Sequence, residues 1–273
     1  MKKLDFIIVG AMKAGTSSLA FQLQHNPDIC IPLKEIHFFD NDQNYSKGIK
    51  WYEENFTNCD QQKLIGEKTP TYSYLEKVPK RIQEYNQEIK LIWIFRNPIE
   101  RAYSNYWHAV KSGVERKSFE KAVQKETEHI KKDIFKGYLK RSIYVDQIDS
   151  YLEFFEKKQM FFMLFEDFVK NPLDNMHNLF KFLKVPFNDF KYADEIRNVT
   201  VIPRIPVLLR KSSELFRESS LMYRGVQFLA FKGKKPGYPK LSSALKIELD
   251  HYFADYNKEL SDLTGLDLAP WKL

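Results

Sequence analysis

Phe6-Ile7-Ile8-Val9-Gly10-Ala11-Met12-Lys13-Ala14-Gly15-Thr16-Ser17-Ser18-Leu19 is the stretch that decides the reading of this chain. Phe6–Val9 is an unbroken apolar run, which suits a strand buried on both faces. Gly10 to Gly15 is a turn rich in small residues, and a segment of helical period follows over Ser17–His25. Such a turn lets main-chain N–H groups converge at a helix N-terminus, where the positive end of the helix dipole adds to them. Thr16, Ser17 and Ser18 supply hydroxyl donors and Lys13 a mobile cation, so the segment reads as a phosphate cradle. N-capping by serine alone gives no reason for a lysine inside a glycine-framed loop.

Outward from this loop, short apolar runs recur at Leu64–Gly66, Leu91–Phe95 and Met160–Phe165. Between and after them lie segments of helical period: Val78–Tyr85, Glu100–Lys111, Phe119–Lys131, Tyr144–Phe155, Asn175–Leu183 and Leu241–Leu263, the last with Gly265 placed to stop it. Buried strands alternating with helices predict an α/β fold, a parallel sheet flanked by helices with a helical C-terminal extension. No repeat or linker divides the chain, so residues 1–273 are expected to form a single domain.

The 273 residues carry 43 Lys and Arg against 36 Asp and Glu, a net charge of 43 − 36 = +7, with 43% apolar and 15% aromatic content. This excludes a disordered chain and favours an anionic partner. The basic residues are scattered and no zinc-finger spacing is present, which argues against specific nucleic-acid recognition. No apolar stretch is long enough for a membrane helix, and the first apolar run is too short for a secretory signal. Cys30 and Cys59 are too few for a disulfide framework, so a reducing cytoplasm is the expected location. His108, His129, His177 and His251 lack metal-ligand spacing, and no metal is expected.

A nucleotide-triphosphatase P-loop has the form G-x-x-x-x-G-K-[ST]. Gly10 and Gly15 have that separation, but Thr16 stands in the lysine position and the lysine lies within the loop, at Lys13. In this the loop resembles the 5′-phosphosulfate-binding loop of sulfotransferases, enzymes that use 3′-phosphoadenosine 5′-phosphosulfate (PAPS) as sulfuryl donor. Arg96-Asn97-Pro98-Ile99-Glu100-Arg101-Ala102-Tyr103-Ser104 is similar to the motif of that family for the 3′-phosphate. Lys34–Asp40 and Gly66–Tyr72 resemble stretches of heparan sulfate sulfotransferases and related bacterial enzymes. Lys232-Gly233-Lys234 resembles the loop that closes over the 3′-phosphate there, with Lys234 in place of the usual Arg, and Arg141–Tyr144 resembles a cofactor-contacting stretch. The similarity runs from about Phe6 to Trp271, is specific at the first loop and at Arg96–Ser104, and is soft over residues 200–231.

The resemblance implies a P-loop-like sheet and a PAPS site made by Lys13, Ala14, Gly15, Thr16, Ser17, Ser18, Arg96, Ser104, Tyr144, Lys232, Gly233 and Lys234. The donor carries about four negative charges, so several cations are expected around it. Sulfuryl transfer needs attacking oxygen, sulfur and leaving oxygen in line, with charge stabilised on the departing group. Glu35 matches the catalytic glutamate of the heparan enzymes and is the expected base toward a hydroxyl or an amine. His37 stands beside it as the other base candidate, while Lys13 and Lys68 would stabilise charge. The implied acceptor is a hydroxyl of a carbohydrate, with lipids and small metabolites as other classes; the oligomeric state is not legible. Two other functions fit parts of the sequence: a Mg²⁺–ATP-dependent P-loop kinase, and a non-catalytic binder of acidic polymers.

Overall fold

The structure is a computed structural model, and it describes residues 3–59, 64–112, 114–131, 133–187, 190–193 and 239–272, with Leu221 and Gly225 between. Five parallel strands, β1 (Phe6–Gly10), β2 (Ile29–Cys30), β3 (Leu64–Lys68), β4 (Lys90–Phe95) and β5 (Met160–Leu164), form one sheet in the order β2-β3-β1-β4-β5. The first helices are α1 (Thr16–Leu23), α2 (Asp42–Tyr45), α3 (Gly48–Glu54), α4 (Lys77–Tyr85) and α5 (Pro98–Lys111). They are followed by α6 (Phe119–Gln124), α7 (Glu126–His129), α8 (Tyr144–Leu152), α9 (Phe165–Lys170), α10 (Pro172–Leu183) and α11 (Ser243–Thr264).

The expected α/β class is what forms. β1 lies at the centre with all five residues buried, as its unbroken apolar run requires. Gly265 adopts a left-handed φ of +77° and its N–H bonds back to the Ser261 carbonyl at 2.8 Å, ending α11. Several elements differ from expectation, the short helices α2, α3 and α9 among them. β3 continues through Glu67 and Lys68, the stretch Phe119–Lys131 divides into α6 and α7 at Lys125, and the two-residue β2 is new.

The chain divides into two compact units, one of Met1–Asn97, Tyr144–Arg197 and Tyr256–Lys272, the other of Pro98–Ile143, Asn198–Asp255 and Leu273. The first holds the whole sheet. In the second, the fully buried Arg101 donates from Nε to Ser142 Oγ and from Nη2 to the Tyr138 carbonyl, both at 2.6 Å. The buried Glu126 there accepts the N–H groups of Leu139 and Lys140 at 2.8 and 2.7 Å. These contacts hold the turn before α8, beside the packed rings of Tyr106, Phe119 and Tyr138.

Cys30, at the end of β2, is joined to Cys59 by a disulfide across a sequence separation of 29. The cysteine count favours a reducing location; the cross-link weighs the other way, because disulfides persist in oxidising surroundings. Closing a loop of this length restricts the unfolded chain by about 3–4 kcal/mol. Reduction is therefore expected to lower the unfolding free energy by that amount and the urea midpoint in proportion, and an unchanged midpoint in dithiothreitol would show that the link contributes nothing.

Candidate active site

The strand order fixes where a ligand can sit. From β1 the chain passes to β2 and β3 on one side and only then to β4 on the other, so the connections leaving β1 and β4 part company at the carboxyl edge of β1. Open α/β sheets bind ligands in the crevice at this switch point. The ladder extends past the strand ends: Ala11 N–H donates to the Ile94 carbonyl at 2.8 Å, and Thr69 N–H to the Ile8 carbonyl at 3.3 Å. The segments that follow β1, β3 and β4 are thereby brought to one edge.

Lys13 sits in the first loop with φ +72°, and Gly15 follows with φ +94° at the N-cap of α1. A Cβ on Gly15 would lie 2.5 Å from the Phe165 ring, so glycine is required both by conformation and by space. A glycine cap has no side chain to satisfy the first N–H groups of the helix, which leaves them to an anion. Ala14 and Thr16 are buried, while Lys13, Ser17 and Ser18 are half-buried at this end. Arg96, the first residue after β4, reaches the loop through Nη1 to the Lys13 carbonyl at 3.5 Å and lies over the Phe165 ring, 5.2 Å from its centroid. The Tyr144 hydroxyl donates to the Arg96 carbonyl at 2.7 Å, so Tyr144 supports the main chain of Arg96. Asn97 N–H donates to Glu166 at 2.9 Å, holding the next residue. Ser104 is buried on α5 in the other unit, and Lys232, Gly233 and Lys234 lie outside the described residues.

Beside this loop stands a connected set of charges. Lys68 ends β3 almost fully buried, donating to Glu35 Oε1 at 2.7 Å and to Ser17 Oγ at 3.3 Å. It therefore bridges the anion loop and the candidate base. His37 Nε2 lies 3.4 Å from the other Glu35 oxygen, and His37 Nδ1 lies 2.8 Å from Asp40 Oδ2. Thr71 Oγ1 donates to the same Asp40 oxygen. Hydrogen bonds to Asp40 and Glu35 push the His37 imidazole up to about 10, so at neutral pH both ring nitrogens carry protons and donate. Burial pushes the Glu35 carboxyl up, but the bonds from His37 and Lys68 outweigh it and hold the carboxyl below its ordinary range.

The structure brings together Lys13, Ser17, Glu35, His37, Lys68 and Arg96 within one unit. Asp40 and Thr71 were not picked out from the sequence; Asp40 sits three residues after His37, a spacing visible only once the loop is known to fold back on itself. The main chain of that loop is held by Asn44, whose Nδ2 donates to the carbonyls of Ile36 and His37 at 3.3 and 3.0 Å. His37 itself has φ +53°, a conformation that non-glycine residues adopt only where neighbours over-determine it.

A parallel sheet with a glycine-capped helix after its central strand, a Lys-bridged carboxylate beside it and an arginine at the next strand end is a P-loop-like arrangement. The family model of the sulfotransferase domain matches residues 3–201, and the chain belongs to the sulfotransferase family. Heparan sulfate glucosamine 3-O-sulfotransferase 5 of Mus musculus is 36% identical over 186 residues, 66% of this chain and 53% of that protein. The chain thus spans about half the length of that curated relative. A crystal structure of a sulfotransferase from Alicyclobacillus acidocaldarius superposes with a TM-score of 0.74 at 25% identity, covering 99% of both chains. The fold is also that of mouse sulfotransferase SULT7A1 complexed with PAP, with a TM-score of 0.56 at 17% identity over 96% of this chain and 86% of that one.

Proposed function

We propose that this sulfotransferase moves a sulfuryl group from PAPS to a hydroxyl, with a carbohydrate as the acceptor class and Glu35 as the base. The observation that carries the reading is the Lys68 bridge, which ties a carboxylate directly to the anion loop. When bound, the donor supplies the sulfuryl group and departs as adenosine 3′,5′-bisphosphate.

The uncapped N–H groups of α1, with the hydroxyls of Thr16, Ser17 and Ser18 and the Lys13 ammonium, suit the 5′ end of that donor. Arg96 suits the 3′-phosphate through a bidentate contact. Ser104, Lys232, Gly233 and Lys234 complete the expected donor set. Glu35 takes the acceptor proton as the new S–O bond forms and the bond to the 5′-phosphate oxygen breaks. Lys13 meets the negative charge that appears on that oxygen. Because His37 holds two protons at neutral pH, its part is to orient Glu35, and Glu35 is the group free to accept one. An anion on the loop competes with Glu35 for Lys68, which raises the carboxyl toward the range where it takes a proton efficiently. The carbohydrate acceptor is supported by the similarity to a heparan sulfate enzyme and by the net charge of +7.

Calorimetric titration separates this reading from the kinase and from the polymer binder. Adenosine 3′,5′-bisphosphate is expected to bind in the presence of a chelator, and labelled sulfate is expected to pass from PAPS to an oligosaccharide. Binding of Mg²⁺–ATP in its place would make the protein a kinase, and binding of neither, with retention of acidic polymers, would make it a binding protein.

A further inference from the structure

β3 ends in two charged residues whose side chains leave opposite faces of the strand. Lys68 goes to the site; Glu67 goes beneath it and is 1% exposed. A buried carboxylate costs several kcal/mol unless hydrogen bonds satisfy it. Glu67 has three hydroxyl donors: Tyr52 on Oε2, and Thr69 Oγ1 at 2.7 Å and the Tyr72 hydroxyl at 2.9 Å on Oε1. Burial still pushes its carboxyl up to about 7.

Tyr72 is the informative member. Its hydroxyl gives its proton to Glu67 and receives the N–H groups of Phe38 and Phe39 at 2.9 and 3.3 Å, so its one donor and two acceptor positions are all in use. Phe38 directly follows His37, whose φ is strained, and Phe39 directly precedes Asp40. The tyrosine is itself anchored, because the Tyr151 hydroxyl donates to its carbonyl at 2.9 Å. We infer that Glu67 and Tyr72 are positioning residues for the transfer: the buried carboxylate orients the Tyr72 hydroxyl, and that hydroxyl fixes the main chain carrying Glu35, His37 and Asp40. The inference rests on Glu35 being the base.

Tyr72→Phe keeps the ring and removes only the hydroxyl, leaving two buried N–H groups without their acceptor. A shifted base loop is expected to lower kcat about 10–100-fold with the KM for donor and the affinity for adenosine 3′,5′-bisphosphate unchanged. Glu67→Gln turns one of the surrounding hydroxyls round and is expected to lower kcat by less. Because both act through one loop, the double variant is expected to lose no more than Tyr72→Phe alone. Any change in the pH profile is read with Asp40, Tyr52, Tyr72, Tyr85 and Tyr151, which face Glu67 from the loop, α3, the β3–α4 connection, α4 and α8. Losses that multiply, or a kcat within twofold of wild type with only a lower melting temperature, overturn the inference.

A second readout does not need turnover. The imidazole of His37, followed by nitrogen-15 NMR, is expected to titrate at lower pH in Tyr72→Phe than in the wild type. If the wild type transfers no sulfuryl group, the function fails while this titration still decides the positioning. An unshifted His37 in Tyr72→Phe overturns the positioning whatever the activity.

Discussion

Glu35→Gln is expected to lower kcat for sulfuryl transfer about 10²–10⁴-fold while adenosine 3′,5′-bisphosphate binds as tightly as to the wild type. The amide is nearly the same size and can still accept a hydrogen bond from Lys68, but it cannot take the acceptor proton. Steady-state kinetics with calorimetry on the same preparation separates the two quantities; a kcat within tenfold of wild type would remove Glu35 from the base role. The pH dependence follows from the same contacts. Glu35 is held below the usual carboxylate range, so kcat/KM, which reports the donor-free enzyme, is expected to fall only below pH 4.5. At saturating donor this limb is expected to move up, because Lys68 is then shared. On the alkaline side His37 releases its proton near pH 10, and activity is expected to fall there. The stability that His37 contributes is whole below pH 6.5, shrinks as pH rises, and is gone above about 10. A His37→Asn variant should lack that component in urea melts taken across the range.

Lys13→Ala and Arg96→Ala are expected to fail in different ways. In the proposed function Lys13 is assigned to the charge that grows on the leaving oxygen, so its loss should cost about 10²–10³ in kcat with a smaller change in donor affinity. Arg96 is assigned there to the 3′-phosphate, which does not react, so its loss should weaken adenosine 3′,5′-bisphosphate binding about 10–100-fold. Truncated donors test the assignment directly: adenosine 5′-phosphosulfate, which lacks the 3′-phosphate, should be indifferent to Arg96→Ala. A large additional loss with that donor would place Arg96 elsewhere than at the 3′ end.

How much of this was legible depended on how local each feature is. The β1 loop and α1 are contiguous, and a glycine-framed turn between an apolar run and a helix announces itself. The apolar run of β3 stops at Gly66 because Glu67 and Lys68 are charged. In the fold both are buried: three hydroxyls surround Glu67, and Glu35 meets Lys68. The partners come from distant loops, so no window of sequence around β3 contains the reason. Similarly, Glu35, His37 and Lys68 were reachable only through resemblance. The resemblance itself put Glu35 ahead of His37 as base; the contact that keeps His37 protonated, from Asp40 three positions on, is not announced by the sequence. The helices α2 and α3 were missed because they are short, and their role is to carry the chain between the two cysteines.

That last connection has a mechanical consequence. The disulfide makes Cys30 to Cys59 a closed ring of covalent bonds, and Glu35, His37 and Asp40 all lie on its circumference. Its outer rim, Ser46 to Lys50, is exposed. A trypsin-type protease that cuts after Lys47 opens the ring but releases nothing, since both halves remain tied through sulfur. Nicked protein would migrate as one chain on a gel until reductant is added, and only then separate into two pieces.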